Sequence, residues 1–227
     1  MAISFRNFIQ IAGIIDRVEA HMLIDQGVTY LGFPLRLAVH KEDLSEQDAA
    51  KIIQNFPPSV HGVLITYMDG PEDIHALCKY LGITIVQLHG DISSDALSRL
   101  KTLAPQLQII KSLIVGQKSP AQLGQMVWAL SPIVDAFITD TYDPDTGATG
   151  ATGKPHDWAV SHALVELSPR PIILAGGLTP ENVPQAIRMV GPDGVDTHTG
   201  VEGPDGRKDP DRVQAFLSET RKAFGTR

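Results

Sequence analysis

Two side chains that can transfer protons stand directly after apolar runs of this sequence. Asp140 follows Ala136-Phe137-Ile138-Thr139, and His198 follows Gly194-Val195-Asp196-Thr197. A carboxyl group and an imidazole in one pocket can give and take protons, as general acid–base catalysis requires. His89 follows a third apolar run. We therefore treat Asp140 and His198 as candidate catalytic residues and His89 as a candidate substrate-binding residue.

Glycine-bearing segments follow three apolar runs in the second half of the chain. They are a Gly-Ala-Thr repeat that ends at Gly153, the pair Gly176-Gly177, and Thr199-Gly200. Glycine lets the backbone approach a ligand closely, and backbone amides bind phosphate without any positively charged side chain. The candidate phosphate-binding residues are Gly153, Gly176, Gly177, Thr199 and Gly200.

Composition limits the classes of protein that fit this chain. It has 227 residues, of which 43% are hydrophobic, and a formal net charge of −7. This charge argues against general affinity for nucleic acid or for an anionic membrane surface. No apolar run approaches the roughly 18 residues of a membrane span, and the single cysteine, Cys78, cannot form an internal disulfide. We expect a reduced, cytoplasmic protein with no nucleic-acid or membrane partner.

Short apolar runs alternate with segments of helical spacing along the whole chain, and Ser45, Thr179 and Asp209 are predicted to start three of the helices. Eight strand–helix units in a chain of this length predict a single-domain (β/α)8 TIM barrel over residues 1–227, because the typical size of that fold is ~250 residues. An open doubly wound sheet is the alternative. The eight runs are Phe8–Ile11, Tyr30–Phe33, Val63–Thr66, Ile85–Leu88, Ile109–Val115, Ala136–Thr139, Ile172–Ala175 and Gly194–Thr197.

The C-terminal ends of barrel strands meet on one face, where the active sites of such barrels form. All the candidates named above follow strand ends, and the second strand leads to Arg36. A guanidinium at that place can hold a carboxylate in fork geometry. Arg36 is therefore a further candidate substrate-binding residue, with a surface salt bridge as the alternative.

Four motifs occur in register along the chain. They are Val86-Gln87-Leu88-His89-Gly90-Asp91, the stretch from Gly150 to Trp158, the stretch from Leu174 to Val183, and the stretch from Gly194 to Asp209. Together they resemble the phosphoribosylanthranilate isomerase family of tryptophan biosynthesis. The resemblance implies an Amadori rearrangement of an aminoaldose phosphate to an aminoketose phosphate without a cofactor. It also implies that Asp140 is the acid that protonates the ribose ring oxygen.

The sequence departs from the family pattern at the base. The family carries Lys-Ile-Cys-Gly on its first strand, with the thiolate as base, whereas this chain reads Gln10-Ile11-Ala12-Gly13. Alanine cannot take a proton, and Cys78 lies in a segment of helical spacing away from the strand ends. Where the family has Ser-Ser-Gly on the eighth strand, this chain has His198-Thr199-Gly200. A histidine titrates near neutral pH, so we predict that His198 replaces the thiol; a hydrogen bond from His198 to phosphate or to a loop carbonyl is the alternative.

The family also places an arginine for the anthranilate carboxylate just before the second helix. The aligned stretch, residues 40–45, holds acidic residues instead, whereas Arg36 lies nearer the strand end, from which it could reach a carboxylate. Two other functions stay open. One is a diverged barrel enzyme, such as an aldolase, epimerase or decarboxylase, that acts on another sugar phosphate or sugar acid. The other is a non-catalytic phosphate-binding module.

The sequence also carries expectations about ligands and partners. A metal held by His89, Asp140 and His198 would need the fold to bring these residues together, and no metal-binding spacing occurs in the sequence, so we predict neither a metal nor a cofactor. The expected partner is a small phosphosugar substrate, and the chain itself is expected to be a monomer or a homodimer.

Overall fold

The computed structural model of the chain describes residues 4–37, 43–141 and 157–226. Eight parallel strands alternate with helices in these ranges, and a 3-10 turn, Thr199–Val201, precedes the last helix. The strands are β1 (Phe8–Ala12), β2 (Tyr30–Pro34), β3 (His61–Thr66), β4 (Ile85–Leu88), β5 (Gln108–Val115), β6 (Ala136–Thr141), β7 (Ile172–Leu174) and β8 (Gly194–Thr197). The helices are α1 (Arg17–Asp25), α2 (Glu46–Ile53), α3 (Pro71–Leu81), α4 (Ser94–Leu103), α5 (Pro120–Leu130), α6 (Trp158–Leu167), α7 (Val183–Val190) and α8 (Pro210–Gly225).

The strands form one closed barrel in chain order. β8 pairs with β1 and closes the barrel, with Gln10 opposite Asp196 in the register. The (β/α)8 TIM barrel is therefore confirmed as the fold, and the open doubly wound sheet is wrong. No helix of the described residues is long and apolar enough to cross a membrane.

Two apolar layers hold the barrel together. The larger one packs the helices onto the outside of the sheet, and the smaller one fills the interior of the barrel. Because successive side chains of a strand point to opposite faces, the polar residues two positions from interior apolar residues also point inward. The interior apolar residues on the strands are Phe8, Ala12, Val63, Ile65, Ile85, Ile110, Ala136, Ile138 and Ile173. Alternation thus turns Gln10, Gln87, Asp140 and Asp196 into the barrel.

Two of the three predicted helix starts are confirmed. Ser45 caps α2 by accepting a hydrogen bond from the amide of Asp48, and Asp209 caps α8 in the same way through Arg212. The third is wrong, because α7 begins at Val183 and not at Thr179.

The reason for the late start of α7 is a tied turn after β7. The Thr179 amide donates to Asn182 Oδ1 at 2.8 Å, and Asn182 Nδ2 donates to the Gly177 carbonyl at 2.8 Å. The Asn182 side chain therefore fixes the loop that follows Gly176 and Gly177. Thr179, which was predicted to start the helix, is part of this loop.

Candidate active site

A small polar pocket lies where β6, β7 and β8 end. It brings together six of the nine residues predicted from the sequence and adds Asp196, which the sequence prediction missed. The pocket is lined by Asp140, Gly176, Gly177, Leu178, Asp196, Thr197, His198, Thr199 and Gly200. Six of the residues predicted from their positions at strand ends therefore line the same pocket.

Asp140 points into this pocket from β6 and is almost fully buried, with 6% of its surface exposed. The Thr141 amide donates to Asp140 Oδ1 at 2.8 Å, which fixes the carboxyl group and favours its charged form. Burial dominates, however, and raises the pKa of Asp140 to about 7. A carboxylic acid that keeps its proton near neutral pH is suited to general acid catalysis.

Asp196 is a second buried carboxyl group in the same pocket. Burial and the nearby charge of Asp140 raise its pKa to about 7, whereas hydrogen bonding to Gln10 and the charge of Lys208 act in the opposite direction. Two carboxyl groups that repel each other in a dry site titrate as a coupled pair. Near neutral pH the pair therefore favours holding one proton between them.

His89 lies beside Asp140 and is also buried. Its Nδ1 is 4.0 Å from Asp140 Oδ2, and its ring lies near the ring of Tyr67, with 5.5 Å between centroids. The structure thus joins His89 to the acid predicted from the sequence. His89 does not itself line the pocket, and its predicted substrate-binding role stays a prediction.

His198 packs onto the end of β1. A Cβ atom built on Gly13 would lie 2.0 Å from His198 Nε2, so the imidazole occupies the space that a side chain at residue 13 would need. Ala12, which stands at the family's cysteine position, directly precedes Gly13 in the chain. His198 Nε2 also lies 3.5 Å from Glu202 Oε1, and Glu202 pairs with the buried Lys208 at 2.6 Å. The imidazole therefore lies at the end of the strand that carries Ala12, with the Glu202 carboxylate beside it.

The glycine turns after β7 and β8 are packed together closely. Gly176 and Gly177 have φ angles of 92° and 62°, which L side chains rarely adopt. A Cβ on Gly200 would lie 1.8 Å from the Leu178 carbonyl oxygen, so only glycine fits there. Thr197 Oγ1 donates to the same carbonyl at 2.8 Å. Bare backbone from both turns therefore lines the pocket, as a phosphate site of amides requires.

Arg36 stands apart from these pocket residues and carries an ion pair. Its Nε and Nη2 donate to the two carboxylate oxygens of Glu46, on α2, at 2.7 and 3.3 Å. Its backbone has a φ of 52°, a left-handed conformation that is uncommon for a side chain of this size. The surface salt bridge named as the alternative for Arg36 is therefore present, and a carboxylate ligand would have to compete with Glu46.

Three further expectations have simple outcomes. Gly153 lies outside the described residues, as does the whole Gly-Ala-Thr repeat. Cys78 is buried on α3, where burial raises the pKa of its thiol to about 12, so this thiol is no base. Within the described ranges, no group of three or more His, Cys, Asp and Glu side chains is placed to hold a metal ion.

Comparisons with known proteins agree with this arrangement. Residues 9–219 match the model of the family described as N-(5'phosphoribosyl)anthranilate (PRA) isomerase. N-(5'-phosphoribosyl)anthranilate isomerase 2 of Methanosarcina mazei is 36% identical over 221 residues, which cover 95% of each chain.

Solved structures show the same likeness. The phosphoribosyl anthranilate isomerase of Thermotoga maritima is 28% identical, with a TM-score of 0.79 over 95% of this chain and 99% of its own. A phosphoribosyl anthranilate isomerase solved with reduced 1-(o-carboxyphenylamino)-1-deoxyribulose 5-phosphate is 26% identical, with a TM-score of 0.77 and the same coverage. The family model and the relatives span nearly the whole chain, and the chain therefore belongs to the N-(5'-phosphoribosyl)anthranilate isomerase family.

Proposed function

We propose that this isomerase carries out the Amadori rearrangement of N-(5'-phosphoribosyl)anthranilate with Asp140 as acid and His198 as base. Asp140 gives its proton to the ribose ring oxygen, the ring C–O bond breaks, and the anthranilate nitrogen takes up the positive charge as an iminium. His198 then removes the proton from the neighbouring sugar carbon, which leaves an enolamine. A proton is then added to the first sugar carbon and the enol oxygen loses its proton, which gives the aminoketose phosphate. The proton that His198 took and the proton that Asp140 gave balance over the cycle, and no electrons leave the substrate.

One observation carries the choice of base. The His198 imidazole lies against Gly13, one residue after Ala12, so a side chain of a type that can take a proton stands at the end of the strand that carries Ala12. Glu202, 3.5 Å from Nε2, orients the ring and stabilises the imidazolium that proton removal forms. The chain has no other thiol that can replace the family cysteine, because it contains a single cysteine, Cys78, buried on α3.

The substrate phosphate is proposed to bind to the turns after β7 and β8. Gly176, Gly177, Thr199 and Gly200 line the pocket beside both catalytic candidates, and Gly153 is proposed to join them from the loop after β6. Backbone amides can bind a phosphate dianion without a charged side chain. They therefore provide a local site for phosphate even though the formal net charge of the chain is −7.

Arg36 is proposed to bind the anthranilate carboxylate, in competition with Glu46. We expect Glu46→Gln to lower the KM severalfold without changing kcat, because a neutral amide competes less strongly than a carboxylate for the guanidinium. Arg36→Lys should raise the KM about tenfold, since an ammonium cannot form the fork. Steady-state kinetics with purified variants measures both effects, and Asp48→Asn on the same helix is the matched control. An unchanged KM in both variants would place Arg36 outside the site.

A direct assay separates this function from the alternatives. The purified protein should convert phosphoribosylanthranilate, which is followed by its fluorescence, and its gene should restore growth of a tryptophan auxotroph that lacks the isomerase. Binding of the substrate without turnover would favour a phosphate-binding module. Inertness toward the substrate, together with turnover of another sugar phosphate, would favour a diverged barrel enzyme. The cytoplasmic location and the monomeric or homodimeric state expected from the sequence stay predictions.

A further inference from the structure

A chain of buried side-chain hydrogen bonds runs through the barrel interior behind the proposed acid. Gln10 Nε2 donates to Asp196 Oδ1 and to Gln87 Oε1, both at 2.9 Å. Gln87 Nε2 lies 2.7 Å from His89 Nε2. The hydrogen bonds are thus continuous from the carboxyl group of Asp196 to the imidazole of His89.

Asp196 determines which group donates and which accepts along this series of hydrogen bonds. When the proton of the carboxyl pair is on Asp140, as its role as acid requires, Asp196 is a carboxylate that only accepts hydrogen bonds, so the amide nitrogen of Gln10 faces Asp196. The second N–H of that amide then faces Gln87 Oε1, which leaves the Gln87 amide nitrogen to donate to His89 Nε2. A neutral imidazole that accepts at Nε2 carries its proton on Nδ1.

His89 is held neutral by its surroundings. Burial and the nearby Lys111 ammonium lower the pKa of His89 to about 3. Lys111 is fixed in place, because its Nζ donates to the carbonyl oxygens of Leu88 at 3.1 Å and Gly90 at 3.0 Å. The imidazole therefore has one proton, and the direction of the amide chain decides which nitrogen holds it.

The other nitrogen of the His89 ring, Nδ1, faces the proposed acid. His89 Nδ1 is fully buried and has no hydrogen-bond partner in the described part of the chain, yet it lies 4.0 Å from Asp140 Oδ2. A buried N–H without an acceptor costs free energy. Because this unpaired N–H of His89 lies beside the proposed proton donor, Asp140, it points to a role in the reaction.

We propose that Gln10 and Gln87 are positioning residues that lock His89 as its Nδ1–H tautomer, with the free N–H facing Asp140. This inference rests on the proposed function for the role of Asp140. When Asp140 gives its proton to the sugar, negative charge appears on its oxygens, and the buried His89 N–H stabilises that charge. Gln10 stands where the family pattern has lysine, and an amide directs the chain without placing a cation beside Asp196.

The tautomer can be measured on the free protein without any substrate. In a two-dimensional 1H–15N spectrum of 15N-histidine-labelled protein at pH 8, Nδ1 of His89 should resonate as a protonated nitrogen and Nε2 as an unprotonated one. The His89 signals are assigned by their loss in His89→Gln. A wild-type spectrum with the proton on Nε2 would overturn the proposal.

Two variants test the locking residues. Gln87→Glu replaces the donor to Nε2 with an acceptor, so the proton should move to Nε2. Gln10→Met removes the donor to Gln87 and adds no charge, so both tautomers should appear even if Gln87→Glu fails to fold. Gln108→Glu makes the same amide-to-acid change at the opposite end of neighbouring β5 and should leave the His89 signals unchanged. Wild-type signals in Gln10→Met would contradict the lock.

Kinetics supply the second readout. Gln10→Met should lower kcat about tenfold with little change in KM, since the lost interaction forms only as Asp140 becomes charged. An equal loss in Gln108→Glu would mean that the effect is structural and would overturn the positioning role. If the wild-type protein does not turn over phosphoribosylanthranilate, the proposed function fails, whereas the spectra still decide which tautomer the amides select.

Discussion

Replacing Asp140 with Asn is expected to remove most of the activity and to make the protein more stable at pH 8. The amide cannot protonate the ring oxygen, so kcat should fall by about 10²- to 10⁴-fold, the usual contribution of a general acid. The fold should persist, since the side-chain oxygen of the introduced asparagine can still accept from the Thr141 amide. Steady-state kinetics and urea unfolding on the same preparations measure the two effects.

The gain in stability follows from the direction of the pKa shift. Burial raises the pKa of Asp140 from 3.8 to about 7, so the native state favours the proton more than the unfolded chain does. The stability that protonation supplies is complete below pH 4 and is lost as the pH rises through 7. At pH 8 the ionised carboxylate therefore destabilises the native state, and Asp140→Asn should raise the free energy of unfolding by about 4 kcal/mol.

Measuring stability and activity over a range of pH provides the control for this prediction. As the pH falls toward 3, the wild type and Asp140→Asn should unfold at increasingly similar urea concentrations, because the Asp140 carboxyl group is then mostly neutral in both the native and the unfolded state. In the wild type kcat/KM should also fall about tenfold per pH unit above pH 7, as the acid loses its proton. A variant that keeps wild-type kcat would contradict the role of Asp140, whatever its stability.

Replacing His198 with Asn is the second change with a large expected effect. Asn keeps a polar side chain of smaller size at the end of β8 but cannot take a proton at neutral pH. We expect kcat/KM to fall by about 10²- to 10⁴-fold, since general-base assistance is lost while the acid and the phosphate turns remain. A coupled fluorescence assay of isomerisation, with thermal unfolding as a check on the fold, measures this loss.

The matched control is His75→Asn, which makes the same change on α3, outside the pocket. It should leave kcat/KM within about twofold of the wild type, since surface changes rarely affect a distant site. If His198→Asn also keeps wild-type catalysis, His198 serves only to hold the phosphate or a loop carbonyl, which is the alternative role given to it from the sequence.

Much of the fold could be predicted because parallel strands covered on both faces are continuous apolar runs. Ile85–Leu88 and Gly194–Thr197 match β4 and β8 to the residue. The start of α7 could not be predicted, because Thr179-Pro180-Glu181 has the composition of a helix start. The Thr179 amide donates instead to the side chain of Asn182, which ties the turn before the helix begins.

The site could be predicted only where a residue stands at a strand end. Asp140 and His198 do, and both line the pocket. Asp196 lies inside a four-residue strand, where no periodicity tells inward from outward positions. Its hydrogen bond to Gln10 joins residues 186 positions apart, so no local motif reports it. Arg36 could be placed near the strand end, but its ion pair with Glu46 depends on how α2 packs.

The exchange of a thiol for an imidazole is tested most directly by returning the cysteine to a protein without the histidine. We would measure kcat/KM for the wild type, Ala12→Cys, His198→Asn and the double variant in one assay. The account predicts that His198→Asn is slow and that Ala12→Cys in that background restores at least about tenfold, because either group can remove the same proton. A double variant as slow as His198→Asn would contradict the account, because the imidazole would then not be the replacement for the missing thiol.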